Sequence, residues 1–223
     1  MRQPITPEVL AQARRLTTAE ISDALDFFKL PGSAPGIHAV AGPKHIVGIA
    51  FTVRFAPVDT GVPGTVGDYL DDMPAGAVAV LDNGGRIDCT VWGGIMSRIA
   101  AKRGIAGTVV NGVCRDTVEA DQAGYPLYAA GRFMRTGKDH VQVDAVGGAV
   151  ALGDIRVAAG DLVVADQDGV VVIPAARAQE VIERALSMQQ VEQRIVAAAL
   201  DGMPLCEARR RFGYHTLQRQ PRN

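Results

Sequence analysis

The sequence lacks the features that define disulfide-rich, zinc-binding and membrane-spanning proteins. Its three cysteines, Cys89, Cys114 and Cys206, are widely spaced without a C-x-x-C pair, so they predict neither a disulfide framework nor a zinc site. The four histidines show no metal-ligand spacing such as H-E-x-x-H. No stretch approaches the roughly 18 uninterrupted apolar residues that a membrane span needs. We therefore expect a cytoplasmic protein with no membrane partner.

The chain also lacks an excess of charge of either sign. Its 23 Lys and Arg residues against 24 Asp and Glu residues give a net charge of −1, which argues against a nucleic-acid partner, because phosphate binding needs a surplus of cations. A small anionic substrate needs only one or two local cations and remains compatible with this balance. Aromatic residues are only 5% of the chain, so we expect a core built mainly from Val, Ala, Ile and Leu.

Hydrophobic periodicity predicts an α/β protein. A strand, a helix with Ile95, Ile99 and Ala100 facing inward, and a second strand form a predicted βαβ unit, and short strands in the last third of the chain suggest antiparallel hairpins. We expect one domain over 1–223, with a helical, Arg-rich C-terminal extension at 187–223. The predicted helices span 6–30 (two segments), 92–103 and 175–201, and the predicted strands span 46–55, 77–81, 105–110, 155–157, 161–165 and 170–174.

Candidate functional residues follow the strands at 77–81 and 105–110, because ligands of open α/β sheets sit at the carboxyl ends of strands. Gly93 and Gly94 begin a helix whose unpaired N–H groups can hold a carboxylate or phosphate, although their spacing matches no nucleotide-binding loop. Arg115 and Asp116 are the sharper signal. A guanidinium grips a carboxylate at two points and a carboxylate binds a hard cation, whereas the alternative is an ordinary loop ion pair.

Four segments together resemble the RraA-like family. Residues 103–116 read RGIAGTVVNGVCRD, and the other segments are TAEISDAL at 18–25, GIAFTV at 48–53 and GDLVVADQDGVVVIP at 160–174. This family includes class II 4-hydroxy-4-methyl-2-oxoglutarate aldolases, oxaloacetate decarboxylases and regulators of ribonuclease E, and the resemblance spans roughly residues 16–200. It implies a three-layer β/β/α swivelling-domain-like fold, with N-terminal helices and a C-terminal helix. It also implies homotrimers or hexamers with active sites between subunits.

The resemblance assigns roles to residues by their positions. Arg115 would bind pyruvate and its enolate, and Asp116 would help to hold Mg²⁺ or Mn²⁺. The backbone amides of Gly93, Gly94, Ile95 and Met96 would hold the substrate carboxylate.

Three positions need separate treatment. The family's aldolases have an acid where this chain has Gly94, and Asp88 or Asp82 could replace it from the preceding loop. Asn111 stands where the family usually has Asp, which we interpret as a structural substitution. Glu192 is the candidate for an acid that a neighbouring subunit's C-terminal helix supplies, and a solvated helix Glu is the alternative.

Two functions from different classes follow. The first is a divalent-metal-dependent lyase that acts on a 2-oxo diacid, by retro-aldol cleavage or by decarboxylation of oxaloacetate to pyruvate. The second is a non-catalytic regulator that binds a protein such as a ribonuclease, which the glycine at position 94 favours. The segment 132–138, with three cations, could serve a dicarboxylate site or form a solvated loop.

Overall fold

The computed structural model describes residues 5–217, in which eight strands form a continuous mixed sheet in the order β1-β11-β10-β3-β4-β5-β6-β2, β7 pairs with β3, and β8 and β9 form a separate small sheet. The strands are β1 (Ser33–Ala34), β2 (His38–Ala41), β3 (Ile46–Pro57), β4 (Ala77–Thr90), β5 (Gly107–Cys114), β6 (Leu127–Arg132), β7 (Val141–Val146), β8 (Val150–Leu152), β9 (Ile155–Val157), β10 (Leu162–Ala165) and β11 (Val170–Ile173). The α-helices are α1 (Pro7–Ala13), α2 (Thr18–Phe28), α3 (Gly94–Lys102), α4 (Thr117–Gln122), α5 (Ala178–Leu200) and α6 (Leu205–Arg211).

Alternating side chains of the main sheet separate two apolar layers. In β4, Ala79 and Leu81 face the core beneath α3 and α4, whereas Val78 and Val80 pack with Leu152 and Val157 of the small sheet. This alternation follows from the two-residue period of a strand. The helices therefore cover one face of the main sheet and β8–β9 the other, which confirms the expected three-layer β/β/α fold.

The N-terminal region folds as the two predicted helices. Thr17 caps α2, since its hydroxyl accepts a hydrogen bond from the Glu20 N–H while the Glu20 carboxylate accepts one from the Thr17 N–H. This reciprocal capping box satisfies two backbone donors that the helix itself leaves unpaired. The buried residues Ile21, Ala24 and Leu25 of α2 pack against α5 and the sheet.

Strand β4 is longer than the sequence predicts. We expected it to end at Leu81 with a closing turn at 82–85, but it continues to Thr90. Gly84 and Gly85 both have positive φ, and the pairing with β5 shifts register between Asp82 and Arg86. The glycines therefore form an irregularity within the strand rather than its end, as glycines with positive φ do at β-bulges.

The predicted βαβ unit is present, with parallel pairing of β4 with β5. Helix α3 is followed by Gly104 with a φ of +70°, the left-handed conformation in which a glycine commonly ends a helix. The inward orientation expected for two isoleucines of α3 is wrong for the single chain. Ala100 is fully buried, but Ile95 is 81% exposed and Ile99 is 42% exposed.

The C-terminal part contains one predicted antiparallel hairpin, β10 with β11, and β9 pairs antiparallel with β8, a strand that the sequence did not predict. Helix α5 packs on α2, and α6 carries Arg209, Arg210 and Arg211 in its last turn. The rest of the expected Arg-rich extension, 218–223, lies outside the described residues. Within the part of the chain that the structure describes, no helix has both the length and the apolar character of a membrane span.

Candidate active site

A cavity of about 250 Å³ lies where the end of β4, the start of α3 and the end of β5 meet. Its lining includes all the residues that the sequence proposes for substrate binding, and adds neighbours from two distant segments. The lining residues are Val66, Gly67, Thr90, Val91, Trp92, Gly93, Gly94, Ile95, Met96, Arg115, Asp116, Thr136 and Gly137.

Trp92 anchors the start of α3. Its indole is buried, stacks on Tyr125 with ring centroids 5.7 Å apart, and donates a hydrogen bond of 3.0 Å to the Ser97 hydroxyl. Ser97 in turn donates to the carbonyl oxygen of Gly93 at 3.1 Å. These contacts fix the backbone that presents Gly93 and Gly94 to the cavity.

Asp116 adopts an unusual backbone conformation at the end of β5. Its φ of 56° and ψ of 37° lie in the left-handed region, which Asp tolerates better than most residues but which still costs energy and is concentrated at functional sites. This conformation turns the chain into α4. The Asp116 carboxylate accepts a hydrogen bond of 2.9 Å from the Gly94 N–H.

The close approach of this carboxylate explains the glycine at position 93. A Cβ atom there would lie 2.8 Å from Asp116 Oδ2 and 3.3 Å from Arg115 Nε. The φ of Gly93 is −153°, so its backbone does not demand glycine. A larger residue at this position would have to displace the Asp116 and Arg115 side chains, which occupy the space beside it.

Arg115 lies next to Asp116 in the same cavity wall. Its Nε is 3.5 Å from Asp116 Oδ2, its Nη1 donates to the carbonyl oxygen of Met134 at 3.4 Å, and its side chain is 38% exposed. These contacts orient the guanidinium at the cavity while leaving donors available for a ligand.

The first turn of α3 adds backbone donors. Its N-terminus has no side-chain cap, and the Gly94 N–H is engaged by Asp116. The N–H groups of Ile95 and Met96 belong to the first turn and have no acceptor within the helix. With the positive end of the helix dipole, they favour an anionic ligand.

The donor chemistry of this site fits a Mg²⁺ or Mn²⁺ ion. Mg²⁺ usually keeps several waters and is bound through one or two carboxylates rather than by an all-protein cage, and Asp116 presents such a carboxylate at the cavity. Residues 5–217 contain no group of three or more His, Cys, Asp and Glu side chains placed to hold a metal, so Asp116 is the one carboxylate that the cavity lining offers to an ion.

The other two proposed metal ligands lie elsewhere in the chain. Asp88 forms a two-point ion pair with Arg86, with contacts of 2.9 and 2.8 Å, and does not line the cavity. Glu192 lies on α5 in a different cavity with Glu20 and Leu200. Burial, Asp23 and Glu20 together raise the pKa of Glu192. Within one chain, neither side chain joins Asp116.

Asp82 and Asn111 form a structural pair below the site. The nearly buried Asp82 carboxylate accepts hydrogen bonds of 2.9 Å from the Asn111 side-chain amide, the Gly84 N–H and the Ala151 N–H. An aspartate at position 111 could not donate to this carboxylate when ionised. The contact supports a structural role for Asn111, and Asp82 does not line the cavity.

Cys114 precedes Arg115 but offers no nucleophile. Its side chain is fully buried, and burial raises the pKa of the thiol to about 12. Since the thiolate is the reactive form of cysteine, the chemistry of the cavity depends on its oxygen and nitrogen groups.

Sequence reasoning missed several residues of the site. Val66 and Gly67 reach the cavity from a segment that carries no recognisable motif, and Thr136 and Gly137 reach it from the segment 132–138, which the sequence singled out only for its cations. The segment 132–138 contributes its Thr and Gly rather than its cations, and Arg132 donates to the carbonyl oxygen of Val40. Glu119 does not line the cavity but pairs with Arg98 of α3, and its position three residues after Asp116 could have indicated that it lies on the same side of α4.

Comparison with known proteins places this architecture among named relatives. The chain is 34% identical over 212 residues to Protein DlpA of Legionella pneumophila. The aligned region covers 93% of this chain but only 34% of DlpA. The chain thus spans about a third of the length of that relative. It is 31% identical over 188 residues to a protein of Halalkalibacterium halodurans named "Putative 4-hydroxy-4-methyl-2-oxoglutarate aldolase", which covers 82% of this chain and 84% of that protein.

Solved structures agree with this relationship. An uncharacterized protein from Pseudomonas syringae pv. tomato superposes with a TM-score of 0.86 at 42% identity, over 93% of this chain and 99% of the other. Streptomyces coelicolor RraAS2, described as an unusual member of the RNase ES inhibitor RraA protein family, superposes with a TM-score of 0.76 at 27% identity, over 86% of this chain and 96% of the other.

The family model described as RraA-like, Aldolase/RraA, matches residues 18–172. This range includes the strands that carry the cavity, the first turn of α3 and the Arg115–Asp116 pair. The chain belongs to the RraA-like family.

Proposed function

We propose that this protein is a divalent-metal-dependent carbon–carbon lyase that acts on a 2-oxo diacid. The substrate would be cleaved by a retro-aldol reaction, as for 4-hydroxy-4-methyl-2-oxoglutarate, or by decarboxylation, as for oxaloacetate. The observation that carries the proposal is that Arg115, Asp116 and the first-turn N–H groups of α3 line one cavity.

Substrate binding uses the cations and dipoles of this cavity. The Arg115 guanidinium offers a planar, two-point grip to a carboxylate or an enolate. The N–H groups of Ile95 and Met96 bind a carboxylate at the positive end of α3. These two sets of donors suit a small substrate with more than one anionic group.

Asp116 would hold the Mg²⁺ or Mn²⁺ ion. When bound, the ion would act as a Lewis acid that withdraws electrons from the 2-oxo group, so that breaking the C3–C4 bond, one carbon beyond that group, would leave its electron pair as a stabilised enolate. Arg115 adds a fixed positive charge for the developing enolate, and because its donors are already oriented, they need little reorganisation during the reaction.

The proposal includes an assembly of three or six copies. Ile95, which lines the cavity, is exposed in the single chain, and Ile87, Val118 and Met134 are further exposed large apolar side chains. Exposed apolar groups of this kind mark interaction surfaces when they adjoin one another. A neighbouring copy that covers them would also bring another acid, for which Glu192 is the candidate.

The direct test is turnover of oxaloacetate and 4-hydroxy-4-methyl-2-oxoglutarate with Mg²⁺ or Mn²⁺, measured as pyruvate formed. A protein-free sample with the same metal gives the background of spontaneous decarboxylation. We expect turnover that disappears with a chelator and returns when metal is added in excess. Rates equal to the background for both substrates would contradict the proposal.

The second candidate is a non-catalytic regulator of a ribonuclease. The glycine at position 94, where the aldolases of the family carry an acid, is the observation that favours it, and RraAS2 belongs to a family described as an RNase ES inhibitor. This function predicts inhibition of RNA cleavage by an RNase E-type enzyme without lyase turnover. Lyase turnover without such inhibition would exclude it.

A further inference from the structure

The carboxylate of Glu119 occupies the place that a side chain at Gly94, the first residue of α3, would take. A Cβ atom at this position would lie 2.6 Å from the carboxylate carbon of Glu119 and closer still to Oε2. Gly94 does not have a positive φ, so its backbone conformation is open to any L residue. A side chain at position 94 would therefore have to displace the Glu119 carboxylate, which is the end of a flexible side chain.

Glu119 reaches this place from α4. It lies three residues after Asp116, and residues at this spacing share one side of a helix. Asp116 accepts a hydrogen bond from the Gly94 N–H, while Glu119 fills the space beside the Gly94 Cα atom. The two carboxylates therefore flank the same residue at the entrance to α3.

Arg98 holds Glu119 in this position. Its Nε lies 3.2 Å from Glu119 Oε2, and the two side chains are 62% and 42% exposed. A pair with this exposure contributes little to stability. Its effect is to orient the carboxylate, since Arg98 stands one turn after Gly94 on the same side of α3.

We propose that Glu119 supplies the acid that position 94 lacks, and that it is a positioning residue for a divalent ion held by Asp116. This inference rests on the proposed function. A hard cation bound through few carboxylates keeps several waters, and groups that orient such ligands commonly change metal affinity or activity by about 10–100-fold. Asp88, which the sequence suggests for this role, is held by Arg86 on β4, whereas the Glu119 carboxylate lies at the Cβ position of Gly94.

The test is Mn²⁺ binding by the full chain, measured by calorimetry or electron paramagnetic resonance without substrate. Glu119→Gln keeps the size of the side chain and removes its charge, and we expect it to weaken Mn²⁺ binding by about 10–100-fold. Glu183→Gln is the matched control, because Glu183 is exposed on α5 and contacts Gln179. We expect the control to bind like wild type.

A second pair of variants separates this role from a structural one. In Gly94→Ala the new methyl group displaces the Glu119 carboxylate without changing any charge, so Mn²⁺ binding should weaken. The double variant Gly94→Glu/Glu119→Ala moves the acid to the family's position and frees the space that it needs, and we expect it to recover most of the affinity. Thermal unfolding of each variant checks that the fold is kept.

The outcomes distinguish this inference from the proposed function. Wild-type affinity in Glu119→Gln, together with loss of binding in Asp116→Asn, would overturn the role of Glu119 and leave the lyase proposal standing. Weak binding in both Glu119→Gln and the double variant would also overturn it. Absence of Mn²⁺ binding by the wild-type protein would overturn the metal-dependent function and this inference with it.

Discussion

Arg115 combines properties that a lysine cannot reproduce. Its guanidinium lies beside Asp116 and donates a hydrogen bond to the Met134 carbonyl oxygen, which orients it. Its planar geometry allows it to bind a carboxylate at two points. We expect Arg115→Lys to lower kcat/KM for pyruvate formation by about 100-fold, the usual effect of removing one transition-state donor. Steady-state kinetics with Mn²⁺ at saturation measures this change.

Arg54→Lys is the control for this substitution. Arg54 also pairs with an aspartate, Asp144, but at an exposed position on β3 outside the cavity lining. Its kinetics should match wild type. Full activity in Arg115→Lys would remove Arg115 from the reacting site.

The residues of the site differ in how far the sequence reveals them. Arg115 and Asp116 adjoin each other in a recognisable segment, and Gly93 and Gly94 mark a helix start, so their shared cavity was predictable from strand order. Thr136 reaches the cavity through a bridge with Thr90, a pairing that no local pattern encodes. Glu119 was not predicted because its proposed role depends on its contact with the position of the missing Gly94 side chain, and this contact between α3 and α4 exists only in the folded chain.

At the scale of elements, Asp166 connects the sheet to α2. Its carboxylate follows β10 and accepts hydrogen bonds of 2.7 Å from the Thr18 N–H and 2.6 Å from the Thr18 hydroxyl. Burial acts to raise the pKa of Asp166, but these hydrogen bonds and that of the Asp168 N–H outweigh it, so the pKa is lowered. A lowered pKa means that folding favours the ionised form.

We therefore expect Asp166→Asn to reduce the free energy of unfolding by about 1 kcal/mol at pH 7, with partial exposure limiting the effect. The stabilisation by the ionised carboxyl is complete above its unfolded pKa of about 3.9 and is lost as the pH falls through the lower folded value. Urea unfolding of both proteins at pH 7, 5 and 3 measures the difference. A difference that stays constant over this range would contradict the ionic role.

The ends of helices were the features of the fold that local sequence predicted best. The capping box of α2 and the left-handed Gly104 both follow from short-range rules. The length of β4 was underestimated because Gly84 and Gly85 are typical of a turn. In the structure, β4 continues to pair with β5 beyond these glycines, at Arg86 and Thr90. Pairing between distant segments decided this outcome, and local sequence does not encode it.

At the scale of the whole molecule, Ile95 tests whether copies of the chain associate near the site. Its side chain is 81% exposed at the start of α3. We expect wild-type protein to sediment at three or six times the 23.5 kDa chain mass, and Ile95→Asp to shift it towards the monomer. An acidic side chain in the first turn of a helix interacts favourably with the helix dipole. We therefore expect the substitution to keep the stability of α3 and to weaken association.

Analytical ultracentrifugation over a range of concentrations measures this shift, and circular dichroism checks the helix content of the variant. A wild-type protein that remains monomeric at all concentrations would contradict the assembly. An unchanged mass in Ile95→Asp would show that this part of the surface is not the interface.

The measurement that tests the account most directly is a crystal structure of the protein soaked with Mn²⁺ and pyruvate. We predict an anomalous peak for Mn²⁺ next to the Asp116 carboxylate, with pyruvate in the cavity between Arg115 and the first turn of α3. The same soak of Asp116→Asn crystals should show weaker Mn²⁺ density. A cavity that stays empty at saturating concentrations, or Mn²⁺ and pyruvate bound together at another place, would contradict the assignment of this cavity as a metal-dependent lyase site.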